Sequence, residues 1–151
     1  MQLRTNSIVG CVVVLFASHG FAAETNFSGH WTIDLRTKQE RAQKRDCGSA
    51  AFILKQTGET IVGDHTFATV GCGRLNEDGS ASVQGVVVGT TAVLAVTSGR
   101  NGAMVLGTAI RQGKRLHWRT VREIRPSDSD GDSPLILDKG TLTLDASQPQ
   151  P

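Results

Sequence analysis

The chain has 151 residues, of which 38% are hydrophobic and 20% charged, with 17 Gly, 4 Pro, 3 Cys and no Tyr. That length suits one domain with one modest core, and a formal charge of +2 is too near zero for a dedicated nucleic-acid binder. Abundant Gly beside scarce Pro excludes collagen-like and Pro-rich disordered chains and points to many tight turns.

The first element in chain order is an export signal over residues 1–22. Arg4 stands in a polar start, and Ile8 to Ala17 is an apolar run. The run is well short of the roughly 20 residues that a spanning helix needs, which argues against an uncleaved anchor. A charged start, a short apolar middle and small residues after it describe a secretory signal peptide. Gly20 and Ala22 occupy the two positions that a signal peptidase reads, so the cut is expected after Ala22. Ile8-Val9-Gly10-Cys11 has the order of a lipoprotein box, but it begins the apolar run instead of ending it. Cleavage removes Cys11 and leaves Cys47 and Cys72, an even count suited to an oxidising compartment, periplasmic or extracellular. A disulfide between them would stabilise the fold by about 3–3.5 kcal/mol in the chain-entropy model. No CxxC pair or His at ligand spacing accompanies them, so no metal site is expected.

From Asn26 the chain alternates cleanly. Phe27, Gly29, Trp31, Ile33 and Leu35 share one face, and His30, Thr32 and Asp34 share the other, which marks a half-buried strand. Thr37 to Asp46 is polar and rich in helix formers, enough for a turn or two of surface helix or an ordered loop tethered by Cys47. Strand and turn signals then recur about every ten residues. Strands are predicted over 51–56, 61–70, 82–88, 91–97, 103–111, 115–124 and 135–144. The links include Thr57-Gly58-Glu59, Asn76 to Gly79, Gly89-Thr90, Asn101-Gly102 and Gln112-Gly113-Lys114. Asn-Gly is the strongest short hairpin signal among them. The tail over 146–151 is expected to be disordered.

About eight strands joined by short links, with no long helical crossover, must pair antiparallel in sequence order. Closure into an all-β, up-and-down barrel over residues 23–145 hides every edge; a β-sandwich is the competing arrangement.

Asn26-Phe27-Ser28-Gly29-His30-Trp31 resembles the G-x-W opening of the calycin superfamily of lipocalins, avidins and fatty-acid-binding proteins. The resemblance implies a small antiparallel barrel in which Trp31 plugs one end, with Arg122 a match for the arginine that packs over that tryptophan in lipocalins. The G-x-W start, an early disulfide and an eight-stranded barrel are also similar to small periplasmic inhibitors of secreted metalloproteases. The two resemblances imply different partners: a small molecule in the lumen, or a secreted hydrolase.

Catalytic chemistry is sparse. His30 lies on the polar face of the first strand. His65 is on the side of Ile61 and Phe67, opposite Asp64, so the two cannot form a dyad within one strand. There is no G-x-S-x-G elbow and no H-E-x-x-H helix. Asp128-Ser129-Asp130-Gly131-Asp132 alternates carboxylates as calcium loops do, yet Gly131 is one place early and no Glu closes it. It reads as a soluble hairpin tip.

Two candidate binding features remain. A lumen would be lined by Phe52, Leu54, Leu94, Val96, Met104, Leu106, Ile110, Leu116 and Trp118, with Gln56, His65, Thr108, Thr120 and Arg122 as its polar points. Trp31, His65, Thr108, Trp118, Thr120 and Arg122 are therefore the candidate ligand contacts. Arg115, His117 and Arg119 share the opposite face of the same strand as Trp118. They suit either a solvated face protecting an edge or a docking patch for an anionic surface, polymer or protein. Aromatic interleaving is poor, which disfavours single-stranded nucleic acid. The expectation is a non-enzymatic, exported binding protein without cofactor, directed to a small molecule or a secreted protein. Neither nucleic acid nor, once the signal is removed, membrane is an expected partner; inhibition of a secreted protease or glycosidase is the alternative role.

Overall fold

The structure, a computed structural model, describes residues 25–77, 81–128, 131–149 and 151. The predicted signal and its cleavage point, Asp78 and Gly79 of one turn, and Ser129 and Asp130 of the acidic loop lie outside the described residues.

The alternating segments become strands β1 (Gly29–Asp34), β2 (Cys47–Thr57), β3 (Thr60–Val70), β4 (Leu75–Asn76), β5 (Val83–Val88), β6 (Thr91–Thr97), β7 (Met104–Gln112), β8 (Arg115–Arg125) and β9 (Lys139–Leu144). Each pairs antiparallel with its neighbour in sequence, except that β5 joins the lower half of β3 while the short β4 joins its upper half. β9 returns to β1, with Trp31 opposite Leu144, and this closes an eight-stranded barrel to which β4 is an addition. The expected barrel is therefore the observed one, and the sandwich is not.

The polar segment after β1 forms one short helix, α1 (Lys38–Ala42), for a local reason. The Thr37 hydroxyl accepts from the Glu40 amide and the Glu40 carboxylate accepts from the Thr37 amide, which satisfies two orphan donors reciprocally. Cys47 and Cys72 form a disulfide with Cα atoms 5.3 Å apart, tying the start of β2 to the turn after β3. β2 begins at Cys47, four residues ahead of the predicted strand, because the bridge holds its first residues in the ladder opposite Val70.

Trp31, Phe52, Leu54, Ile61, Leu94, Leu116 and Leu142 are fully buried inside the barrel, and Trp118 nearly so. Burying each such side chain contributes roughly 1.5–3 kcal/mol. The interior departs from expectation on β7. Val105, Gly107 and Ala109 face inward, while Met104, Leu106, Thr108 and Ile110 face out. Volume decides this. A Cβ at Gly107 would run into the Trp118 indole, so the strand turns its smallest residues toward the largest one.

β8 carries a second departure. Irregularities against β7 set Gly107 opposite Thr120 but Leu106 opposite Arg122, and Val105 opposite Glu123 but Met104 opposite Arg125. Each is a bulge of one extra residue, Val121 and then Ile124. The bulges shift the parity, so Arg122 points outward with Arg115 and Arg119, not into a lumen. β8 is also no edge over Arg115–Arg119, being paired with β7 on one side and β9 on the other, which removes edge protection as the reason for its charge there.

The predicted last strand, 135–144, is shorter than expected: only Lys139–Leu144 is strand. Residues 134–138 instead cross the mouth of the barrel. In the tail, Asp145 accepts from the amide and hydroxyl of Ser147 to form a local turn.

Candidate functional site

One end of the barrel is closed by its own beginning. The Trp31 indole N–H donates to the Phe27 carbonyl at 2.9 Å, and the Phe27 amide donates to the Gln56 side chain at 2.8 Å. The Arg111 guanidinium lies 5.3 Å from the Trp31 ring centroid, and it also donates to the carbonyls of Asn26 and Gly113. An arginine does cover the plugging tryptophan, but it is Arg111 of β7, not Arg122. The β8 bulges put Arg122 on the outer wall, while β7 ends directly beside Trp31's end of the barrel.

The opposite end is closed by the strap of residues 134–138. A segment laid across an apolar mouth must have its backbone polar groups satisfied. Here side chains from four strands or their ends do so. The Ser98 hydroxyl donates to the Pro134 carbonyl at 2.7 Å and the Asn76 amide to the Leu135 carbonyl at 3.1 Å. The Leu137 carbonyl accepts from the Trp118 indole at 2.7 Å and from the Thr120 hydroxyl at 3.4 Å. The Leu137 amide donates to His65 Nε2 at 3.3 Å, and the Thr120 amide to the Asp138 carbonyl at 2.7 Å. Leu135 and Leu137 seal the mouth from below, both buried.

His65 is only 1% exposed and packs edge-on against Phe52, ring centroids 4.7 Å apart; Phe52 in turn lies 4.9 Å from Trp118. Because Nε2 accepts from Leu137, the ring proton sits on Nδ1, which has no hydrogen-bond partner among the described residues. Burial without a countercharge pushes the imidazole down to about 4, so it is neutral at physiological pH.

Of the candidate ligand contacts, His65, Trp118 and Thr120 converge, but on the chain's own strap. Trp31 stands apart at the other end, and Thr108 and Arg122 face outward. Asn76 and Ser98 were not legible as site residues: polar side chains beside turns read as loop, and only the strap gives them a reason to be buried.

The outer wall has its own order. The outward row of β8 is Arg115, His117, Arg119, Arg122 and Arg125, and Lys139 lies opposite Arg119 on β9. The His117 ring bonds Thr141 at 3.0 Å and Gln112 at 3.1 Å, which fixes it within the row. Arg125 donates to the Gly102 carbonyl at 2.7 Å. Among the described residues Arg115, Arg119 and Arg122 form no ion pair, in contrast to Arg36 with Asp34 and Arg100 with Asp132. That last pair, 3.1 Å long, and the Asn101 amide on the Asp132 carbonyl anchor the acidic loop against the turn before β7. Among the described residues no group of three or more His, Cys, Asp or Glu could hold a metal ion.

Fold and site together define a small closed antiparallel barrel of a shape compatible with calycin-like proteins, plugged at both ends by its own chain. No family model, curated protein or solved structure matches the chain.

Proposed function

We propose that this is an exported, non-enzymatic binding protein that engages its partner with the outer wall of the barrel, not with a lumen. One observation carries the reading: the polar groups that would greet a lumenal ligand, His65, Trp118 and Thr120, are engaged by the strap, with His65 Nδ1 alone left without a partner, while the arginines of β8 are not engaged by any carboxylate among the described residues. The Cys47–Cys72 bridge supports an oxidising compartment, as the signal-like N-terminus does. Native mass spectrometry of the protein recovered from the expressing cell tests both parts. The expected species is a chain beginning at Ala23, two hydrogens lighter than its reduced form and without adduct. A stoichiometric small molecule retained by the folded barrel would overturn the outer-wall reading.

Inhibition of a secreted hydrolase is the second reading, and the segment 37–46 favours it. It is exposed yet held rigid by its capping box, by Arg36 donating to the Arg45 carbonyl at 2.8 Å and by the adjacent disulfide. A preorganised loop is what tight inhibition needs. A panel of secreted proteases and glycosidases assayed with the protein at micromolar concentration tests it; unchanged rates throughout would remove it.

A further inference from the structure

The outward positions of five successive strands, β5 to β9, contain no Asp or Glu. They run through Gln84, Val86 and Val88 on β5 to Lys139, Thr141 and Thr143 on β9. Glu123, opposite inward-facing Val105, is the one carboxylate on these strands, and it is exposed at the rim between Arg122 and Arg125. Within this wall the charges and the aliphatic groups are side by side. Leu106 is directly opposite Arg122, and Ile110 directly opposite His117. Val86, Val88 and Ile110 are 48%, 63% and 43% exposed, unusually bare for β-branched side chains. The arginine row itself, Arg115 to Arg125 at about 3.3 Å per residue, is roughly 30 Å long.

We infer that this wall docks on an anionic phospholipid bilayer, with the β8 arginines on lipid phosphates and the aliphatic side chains of β5–β7 at the boundary between headgroup and acyl chain. The inference rests on the outer-wall reading and adds the partner's chemistry. Guanidinium forks match phosphate oxygens bidentately and are weakly hydrated, so a row of them beside aliphatic surface suits an interface that is charged above and apolar below. A folded protein partner fits less well. The wall is convex and its outward positions hold no Trp or Phe to serve as an anchor, and the described clefts lie around β1–β3 and the disulfide instead. A fluid bilayer conforms to a convex wall without needing a complementary pocket. A purely polar polyanion would leave the exposed valines unused. Composition alone gives no membrane contact after signal removal; the two bulges change that by keeping four arginines on one face.

The test is co-sedimentation of the processed protein, as recovered from the cell, with vesicles of phosphatidylcholine alone and of phosphatidylcholine with an equal part of phosphatidylglycerol. Binding is expected only to the anionic vesicles and should fall with added salt. Arg119→Gln with Arg122→Gln should weaken it by about 30-fold, at roughly 5-fold per surface charge. Lys44→Gln with Arg45→Gln, beside the disulfide, should leave it unchanged, and melting temperatures would confirm that all variants are folded. Val86→Ser with Ile110→Ser should remove the part of the binding that survives high salt. No partition onto anionic vesicles, or partition indifferent to the arginine pair, overturns the inference. If vesicles fail while heparin or polyglutamate binds in an Arg119- and Arg122-dependent manner, the lipid assignment falls and the outer-wall reading stands. If a small molecule is retained as well, that reading falls too.

Discussion

His65 brings burial and acid–base chemistry into direct conflict. Its folded-state value, about 4, lies below the 6.5 of a free imidazole, so between those limits the unfolded chain binds the extra proton. Stability from this group is therefore complete above about pH 6.5 and is lost as pH falls toward 4, by about 3 kcal/mol in all. Urea midpoints measured from pH 7 to 4.5 should show this decline, and His65→Gln, which keeps an acceptor for Leu137 but does not titrate, should flatten it. An equal decline in both proteins would locate the sensitivity elsewhere. Gly107 makes the complementary point about volume. Gly107→Ala should destabilise by roughly 1–3 kcal/mol through the Trp118 indole, readable as a lower melting temperature. The inward place of His65 was legible from its alternation with Ile61 and Phe67. The need for glycine at 107 was not, because periodicity weighs apolar size and cannot see the indole arriving from the neighbouring strand.

Among the elements, the strap was the least legible. Leu135 and Leu137 alternate with their neighbours as strand residues do, and a segment lying across a barrel mouth, one face down on apolar side chains, alternates in the same way. What separates the two is the source of the hydrogen bonds, here side chains at Pro134, Leu135 and Leu137, with a neighbouring backbone amide, that of Thr120, at Asp138. Removing one such partner leaves a buried carbonyl unsatisfied, so Asn76→Ala and Ser98→Ala should each cost about 1–3 kcal/mol by equilibrium denaturation. If both substitutions are neutral, the strap is not held in the manner described. On β8 the pattern failed for another reason. Strict alternation assigns Arg122 to the inside, and a bulge is a property of two strands in register, which one strand's sequence does not reveal.

At the scale of the molecule, legibility was high. Short links, two-residue turns and a missing crossover leave few topologies, and the eight-stranded closed meander is the one adopted. The pairing of Cys47 with Cys72 followed from count and expected compartment, since only these two cysteines lie beyond the predicted signal. Converting both to alanine should lower stability by about 3 kcal/mol while leaving the far-ultraviolet circular dichroism of a β protein; loss of that spectrum would mean the bridge is needed for folding itself.

The pairing of the first strand with the last has a consequence in time. Trp31 meets Leu144, and the Asp145 amide reaches the His30 carbonyl at 2.8 Å, so the seam of the barrel joins its first strand to its last. A chain emerging from the ribosome carries β1 long before β9 exists, and until then the cylinder is an open sheet with two unpaired edges. Completion waits for the whole polypeptide. The seam thus sets the order of events, with synthesis of the last strand first and closure of the barrel afterwards.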